Sequence, residues 1–503
     1  MPSSSFVAAF ARRTRERPDA PALSWGERVV GYGELAGMSE RAYAALGAAG
    51  VPEGAPVCVP ARKSPETIAL LIACVRAGRR VLLPSEGLGP MALAELCVRV
   101  GCTHVLEAGG DDPLAFRVTA RAASELGGAS DPAAPAGSPA TGALSEPGLL
   151  LTTSGSTGLP KIVVLSAGGV DRFMEWAAGR FGIGPGARVL NYAPLNFDLC
   201  LLDVWASLSA GACVELVDPG RAADGSYLAG LCGEREPDVI QAVPMFFRLA
   251  TEAASRAGRV FPGVREVMFT GDVMPLTLLE RAAATFPNAR MWNIYGCTET
   301  NDSFLHEVTL EESRELGVVP IGRPIEGVHA TIVDESGQVV TGAGAGELVV
   351  ATPFQSRGYS EPRLDRERWR DGHFRTGDLV RRDERGLVFL TGRNDHQVKV
   401  RGVRTNLQEV ERVVLAHPEV LEAAVVAVPD EAAGNVLHAV VRRRPGSGMN
   451  GLRLRVHCAA GLPRTAIPGV IEIVDQALPR TSTGKIDRTS VRRRRMAFTP
   501  VTA

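Results

Sequence analysis

Residues 150–161 read LLTTSGSTGLPK, an apolar run that passes into a loop of small hydroxyl and glycine residues and ends in Pro-Lys. Gly155 and Gly158 let backbone N–H groups approach an anion without a Cβ in the way. Serine and threonine hydroxyls add short donors, and Lys161 adds a cation. The loop lacks the Gly-Lys-Ser/Thr ending of the nucleotide-binding P-loop. It therefore predicts a different kind of phosphate-binding loop, with a plain surface loop as the alternative.

Length and composition limit the class of protein. A chain of 503 residues is too long for one ordinary core and predicts two or more domains. Lys plus Arg (55) nearly balances Asp plus Glu (56), so no overall charge indicates a nucleic-acid or membrane partner. Nine cysteines without a CxxC pair favour reduced thiols. No apolar run is long enough for a membrane span, and we expect a cytoplasmic protein.

The pattern of apolar residues predicts an α/β fold. Residues 6–107 alternate helical patterns with short β-branched runs, which is typical of a largely parallel sheet. Residues 123–148 are rich in Ala, Gly, Ser and Pro and predict a loosely packed connection. From Gly346 short alternating strands predict a β-rich subdomain, and the last hundred residues a small α+β unit. We expect a large N-terminal domain over residues 1–394 and a small, mobile C-terminal domain over 395–503.

Six short segments occur in one order along the chain. They are LTTSGSTGLPK (151–161), NFDLCLLD (196–203), NIYGCTETND (293–302), FRTGDL (374–379), GRNDHQVKVRG (392–402) and PRTSTGKIDR (479–488). Together they resemble the ANL superfamily of adenylate-forming enzymes, specifically a freestanding amino-acid adenylation domain of the nonribosomal peptide synthetase type. The resemblance spans almost the whole chain.

The resemblance implies an AMP-forming amino acid–[carrier protein] ligase that uses ATP and Mg²⁺. The enzyme would form an aminoacyl-AMP and transfer the aminoacyl group to the phosphopantetheine thiol of a carrier protein acting in trans. This chemistry belongs to natural-product biosynthesis, including antibiotics made as nonribosomal peptides or polyketide hybrids. The expected partners are a small amino acid and the carrier protein, without nucleic acid or membrane.

The resemblance also implies roles for residues around ATP. Lys485 would be the main catalytic cation, Thr298 would contact phosphate, and Glu299 would hold the metal ion. The other ATP-binding residues would be Thr153, Ser154, Gly155, Ser156, Thr157, Gly158, Lys161, Tyr295, Asp378 and Arg393. Local alternatives exist for four of these residues: Lys485 also suits an ordinary exposed position beside a Ser-Thr-Gly turn, Thr298 and Glu299 a helix start, and Asp378 a solvated turn.

Two residues of the C-terminal part would serve the second half-reaction. Asp395 falls where the family has its interdomain hinge, and rotation about it would withdraw Lys485 and admit a thiol. Lys399 would then face the active site, although a solvated strand residue is the alternative for it.

Asp198 makes an amino acid the expected substrate. Relatives that activate amino acids pair an aspartate here with the substrate ammonium, and an unpaired carboxylate in such a pocket would be costly. A helix-capping role for Asp198 is the alternative. By the resemblance, the remaining pocket residues would be Leu199, Leu202, Phe246, Met268, Thr270, Ile294, Asp302 and Ser303. Bulky members disfavour a large aromatic substrate, and Asp302 favours a small or medium polar amino acid, including β-amino and diamino acids.

Two other functions compete with this one. An acyl-CoA synthetase of the same superfamily would act on a carboxylic acid without an amino group, and Asp198 argues against it. A scaffold that binds nucleotide or carrier protein without catalysis is the third candidate. The presence of Lys485, Glu299 and Asp378 argues against an inactive enzyme.

Overall fold

The computed structural model of the chain describes residues 4–109, 117–125, 148–153, 159–393, 397–401, 403–430, 434–479 and 486–498. The chain forms two compact units that divide between Gly392 and Arg393. The larger unit is α/β with a β-rich part, and the smaller is α+β. The predicted fold class is thereby confirmed. The boundary between residues 394 and 395 falls outside the described ranges and, like the mobility of the smaller unit, stays a prediction.

The helices of the described ranges follow the predicted alternation. They are α1 (Ser4–Glu16), α2 (Tyr32–Ala48), α3 (Pro65–Arg76), α4 (Pro90–Val100), α5 (Ala167–Arg180), α6 (Ser207–Ala210), α7 (Gly225–Glu234), α8 (Pro244–Arg256), α9 (Leu276–Thr285), α10 (Leu310–Leu316), α11 (Pro362–Arg368), α12 (Leu407–Leu415), α13 (Gly451–Gly461) and α14 (Arg488–Phe498). None of them combines the length and apolar character that a bilayer crossing requires.

Local chemistry explains where helices begin and end. The Ser64 hydroxyl accepts a hydrogen bond from the Thr67 N–H at 3.1 Å and caps α3, which has proline at its first position. Asp224 caps α7 in the same way by accepting from the Tyr227 N–H. Gly101 ends α4 in the left-handed region at φ +69°, where a side chain would be strained.

The strands of the described ranges form five sheets. They are β1 (Pro21–Trp25), β2 (Arg28–Gly31), β3 (Val57–Cys58), β4 (Arg80–Leu83), β5 (His104–Gly109), β6 (Arg117–Ala122), β7 (Gly148–Thr153), β8 (Lys161–Val164), β9 (Arg188–Asn191), β10 (Cys213–Leu216), β11 (Val239–Ala242), β12 (Glu266–Thr270), β13 (Arg290–Cys297), β14 (Asn301–Glu307), β15 (Arg323–Pro324), β16 (His329–Val333), β17 (Gly344–Ala351), β18 (Trp369–Arg370), β19 (His373–Arg382), β20 (Val388–Arg393), β21 (Gln397–Val400), β22 (Val403–Asn406), β23 (Val420–Asp430), β24 (Gly434–Arg443) and β25 (Val470–Val474).

A six-stranded sheet contains the first α/β part of the chain, in the order β6-β5-β3-β4-β7-β8. Its central strands are parallel, and β6 and β8 pair antiparallel at the two edges. Thr153 and Lys161 are register partners in the β7–β8 pair, so the sheet holds the two sides of the glycine-rich segment together. Residues 154–158 of that segment, and 126–147 of the predicted loose connection, lie outside the described ranges.

A nine-stranded sheet carries six of the predicted site residues, in the order β15-β14-β13-β12-β11-β9-β10-β1-β2. Strands β10, β9, β11, β12 and β13 run parallel. Every residue of β10, β11 and β12 is buried, as expected for strands covered on both faces. The carboxyl ends of these strands meet at one edge, where α/β sheets bind ligands.

The predicted β-rich region is a five-stranded antiparallel sheet with the order β16-β17-β19-β18 and β20 beside β19. It begins at His329, earlier than the change at Gly346 that the sequence analysis used. Its strand β19 carries Asp378.

The smaller unit contains the β21–β22 hairpin and a three-stranded sheet in the order β23-β24-β25, packed with α12 and α14. Glu411 on α12 links these parts because it accepts hydrogen bonds from the Val425 N–H of β23 and from Arg488 of α14. Buried valines and alanines of β23 and β24 form the core of this unit.

Candidate active site

Besides Ile294, the β13–β14 hairpin brings together five of the predicted site residues. Tyr295 lies on β13, Thr298 and Glu299 lie in the turn, and Asp302 and Ser303 begin β14. Gly296 permits this tight turn, since a Cβ there would stand 2.4 Å from the Asn301 carbonyl oxygen. The turn therefore presents a ring, a hydroxyl and carboxylates within a few residues.

A hydrogen bond joins this hairpin to the β-rich sheet. The Tyr295 hydroxyl donates to Asp378 Oδ2 at 2.5 Å, although 83 residues separate the two in sequence. Burial and the neighbouring Asp378 charge raise the pKa of Tyr295 well above its ordinary value, so this hydroxyl remains a donor. Asp378 is held in turn by its own N–H, which donates to the Thr376 hydroxyl at 3.0 Å. The predicted adenine and ribose residues thus form one connected pair.

Tyr359 links the predicted metal ligand to the phosphate-loop lysine. Its hydroxyl donates to Glu299 Oε1 at 2.6 Å, and the Lys161 ammonium lies 5.5 Å from the centre of its ring. The Ser356 N–H donates to the Glu299 carbonyl at 2.8 Å and fixes the backbone of the turn. Glu299 is only 3% exposed, and Tyr359 was not among the residues predicted from sequence.

The two predicted substrate carboxylates lie near each other. Asp198 is partly buried just before a π-helical segment, Leu201–Ala206, and its carbonyl accepts from the Leu201 N–H. Burial and the Asp198 charge raise the pKa of Asp302 to about 8. The pocket thus holds two acids, and the second keeps its proton to a higher pH than an ordinary aspartate does.

The raised pKa of Asp302 predicts how stability depends on pH. Its ordinary value is 3.8, so between about pH 4 and 8 the folded chain keeps a proton that the unfolded chain has released. The free energy of unfolding should therefore fall as pH rises through this interval, by at most about 1.4 kcal/mol per pH unit for this group. Asp302→Asn should flatten the slope, as measured by urea unfolding at several pH values. Equal slopes for the two proteins would contradict this.

The apolar pocket residues fall into two separate clusters. Leu199, Leu202, Met268 and Ile294 pack in one core with Phe197. Thr270 ends β12 and is the register partner of Ile294. Phe246 instead lies on α8 at 0% exposure, in a second core where its ring meets those of Tyr192 and Phe247 at 5.1 and 5.2 Å. The structure does not bring Phe246 to the other pocket residues.

The position on β11 that faces the pocket side chains belongs to Gln241. It is the register partner of Asn191 on β9 and of Met268 on β12. Its Nε2 donates to Asp203 Oδ1 at 3.2 Å and to the Leu199 carbonyl at 3.1 Å. Neither Gln241 nor Asp203 was predicted, and the register between β11 and β12 is the signal that would have identified Gln241.

Several predicted residues are placed elsewhere or are not described. Lys485, Asp395 and the loop residues Ser154, Gly155, Ser156, Thr157 and Gly158 lie outside the described ranges. Arg393 begins the smaller unit, and Lys399 lies partly buried on β21, where its carbonyl accepts from Asn435 Nδ2 at 3.0 Å. The roles of all these residues stay predictions.

Comparisons with known proteins agree along almost the whole chain. The model of the AMP-binding enzyme family matches residues 10–360, and that of the AMP-binding enzyme C-terminal domain matches residues 409–485. An L-proline--[L-prolyl-carrier protein] ligase of Pseudomonas fluorescens is 31% identical, with 97% of each chain covered. The protein of the same name from Streptomyces coelicolor is 32% identical, over 96% of this chain and 95% of the relative.

One solved structure has a similar fold. An NRPS protein containing adenylation and PCP domains, bound to a vinylsulfonamide inhibitor, is 27% identical and superposes with a TM-score of 0.78. The match covers 97% of this chain and 84% of that protein.

Proposed function

The chain belongs to the family of AMP-binding, adenylate-forming enzymes, and from this premise we propose that it loads an amino acid onto a separate carrier protein. In the first half-reaction a carboxylate oxygen of the amino acid attacks the α-phosphorus of ATP. An aminoacyl-AMP forms and pyrophosphate leaves. In the second, the phosphopantetheine thiol of the carrier attacks the same carbonyl and AMP leaves. The two relatives that carry this activity in their names support the assignment.

The larger unit supplies the groups that ATP needs. Tyr295 offers a ring face for adenine, and Asp378, already oriented by that tyrosine, accepts from the ribose hydroxyls. Lys161 is the register partner of Thr153. From this position it would contact the β- and γ-phosphates, together with the predicted loop residues 154–158. Glu299 fits a hard cation because it is a buried carboxylate next to the hydroxyl of Thr298, and it would hold the Mg²⁺ that neutralises phosphate charge. Lys485 and Arg393 complete the set as predictions from the resemblance.

The acidic pair in the pocket is the observation that carries the choice of substrate. Asp198 pairs with the amino group next to the reacting carboxylate. Burial and, second, the Asp198 charge raise the pKa of Asp302, and a hydrogen-bonding group or cation on the substrate would give this buried acid a partner. Proline, the substrate in the names of the two relatives, has no such side-chain group. A polar amino acid, including a β-amino or diamino acid, therefore fits this pocket better than an aliphatic one.

The second half-reaction depends on the smaller unit. We assign Asp395 as the hinge and Lys399 as the residue that faces the site during thiol transfer, both from the resemblance. The related protein with adenylation and PCP domains supports a carrier protein as acceptor.

An ATP–pyrophosphate exchange panel tests the proposal. We expect exchange with diaminopropionate, ornithine, serine, β-alanine or hydroxyproline to exceed exchange with leucine by at least about tenfold, because a pocket acid rejects an apolar side chain that leaves it unpaired. Proline serves as the comparison with the named relatives. Equal exchange with leucine and with the polar amino acids would sink the substrate assignment. If no carboxylic acid supports exchange, the proposed adenylation activity is contradicted.

A further inference from the structure

Hydrogen bonds hold the loop that carries Asp198 at the point where it leaves the sheet. Lys63, in the segment between β3 and α3, donates from Nζ to the carbonyls of Asn191 at 3.1 Å and Tyr192 at 3.0 Å. The Lys63 side chain is 5% exposed. Burial lowers its pKa to about 8. A lysine is therefore held among backbone carbonyls at the end of β9, where it fixes the start of the loop.

A hydrogen bond from a side-chain amide holds the other end of the same loop. Gln241 Nε2 donates to the carbonyl of Leu199, the residue directly after Asp198, at 3.1 Å. Directly after Leu199, the Cys200 thiol donates back to the Pro194 carbonyl at 3.2 Å. The backbone on both sides of Asp198 is thus defined by contacts from other elements.

Asp203 connects the contacts at the two ends of this loop, because it accepts hydrogen bonds from both Asn191 and Gln241. One carboxylate oxygen accepts from Asn191 Nδ2 and the other from Gln241 Nε2, each at 3.2 Å. Asp203 is 0% exposed and lies inside the π-helical segment, a distortion that often accompanies functional sites. Burial raises its pKa well above the ordinary value, while the two amides and the Lys63 charge oppose that rise. We call Lys63, Asn191, Asp203 and Gln241 the buried frame.

We propose that Asp203, through the buried frame, is a positioning residue that orients Asp198 for recognition of the substrate amino group. This inference rests on the proposed function. Asp203 has no exposed surface that a substrate could reach. It acts by holding the Gln241 amide toward the Leu199 carbonyl. The frame also joins the six-stranded and nine-stranded sheets of the larger unit through Lys63.

The substitution Asp203→Asn tests this role because it replaces one of the two accepting oxygens, which serve Asn191 and Gln241 separately, with an NH2 group that can only donate. The Gln241 side chain can then turn so that its oxygen accepts from the new NH2 group at position 203. Its own N–H groups then point away from the Leu199 carbonyl, which loses its donor. Leaving one such buried group unpaired should raise the KM for the best amino acid of the exchange panel roughly 5- to 150-fold. The kcat and the KM for ATP should change little, since the ATP residues lie outside the frame.

A second readout separates positioning from a general loss of structure. The unsubstituted enzyme should prefer the best amino acid over the matching carboxylic acid without the amino group, and Asp203→Asn should narrow that preference. Gln241→Met, which removes the donor to both the Leu199 carbonyl and Asp203, should do the same. If the Asp203→Asn protein does not fold, the preference of the Gln241→Met protein for the amino acid over the matching carboxylic acid tests the proposal instead.

Glu266→Gln is the matched control. Glu266 is a buried carboxylate on the same sheet but at the amino end of β12, where it accepts from Trp292 Nε1 at 2.6 Å. It should leave the KM for the amino acid unchanged. The inference is overturned if Asp203→Asn keeps the original KM for the amino acid and the original preference for it over the matching carboxylic acid. It is also overturned if kcat and the KM for ATP change by as large a factor as the KM for the amino acid. Absence of amino-acid exchange in the unsubstituted enzyme would overturn the proposed function instead.

Discussion

Replacing Asp198 with asparagine is expected to raise the KM for the amino acid by roughly 30-fold to several thousand-fold, the range for losing one partner of a buried charge pair. The substrate ammonium would then face an amide dipole in a pocket that already contains the raised-pKa acid Asp302. The KM for ATP should stay near its original value, since Tyr295, Asp378 and Glu299 are untouched. Pyrophosphate exchange at varied amino acid and fixed saturating ATP measures the change.

Asp224→Asn provides the matched control for this substitution. Asp224 caps α7 from an exposed position, and asparagine is an equally good cap. The KM for the amino acid should not change in this variant. Full activity of Asp198→Asn on the best substrate would favour a carboxylic acid without an amino group, which is the acyl-CoA synthetase alternative.

Replacing Glu299 with glutamine is expected to lower kcat by about 10²–10³, the cost of removing one preorganised electrostatic group. Glutamine keeps an oxygen for the Tyr359 hydroxyl, so the hydrogen bond at 2.6 Å can persist while the negative charge is lost. The Mg²⁺ concentration for half-maximal exchange should rise at the same time. Titration of Mg²⁺ at saturating ATP and amino acid measures both effects.

The contribution of the tyrosine itself can be separated. Tyr359→Phe removes only the hydroxyl that donates to Glu299 and should lower kcat far less than Glu299→Gln does. If Glu299→Gln leaves both kcat and the Mg²⁺ requirement unchanged, Glu299 is not the metal ligand. Similar losses in the two variants would assign the effect to the orientation of the carboxylate.

The hairpin that carries Tyr295 and Glu299 shows how much of the site a local motif can predict. The motif NIYGCTETND lies within ten residues, so the order of residues already determines which side chains share the turn. The partners of these side chains are distant in sequence: Asp378 was predicted from its own motif, whereas Tyr359 stands outside any motif. Its role depends on the isolated bridge between Val163 and Tyr359, which pairs backbone segments far apart in the chain.

The pocket shows the opposite case. Phe246 was predicted as a pocket residue from the resemblance, and its side chain lies in the second core. Gln241 occupies the register position beside Met268 because β11 and β12 pair in parallel at that level. Register between strands joined by a long crossover is fixed by tertiary packing and cannot be counted along one strand.

The sequence by itself determined the family and the α/β fold class and predicted the local groups for ATP, because each depends on short motifs whose members are neighbours along the chain. It also singled out Asp198 and Asp302 as pocket acids. Only the tertiary structure decided that Lys63, Asn191, Asp203 and Gln241 form one frame behind Asp198. These are single residues from separate loops and strands, without a shared spacing. They become neighbours only when the two sheets pack, since burial then requires each polar group to find a partner.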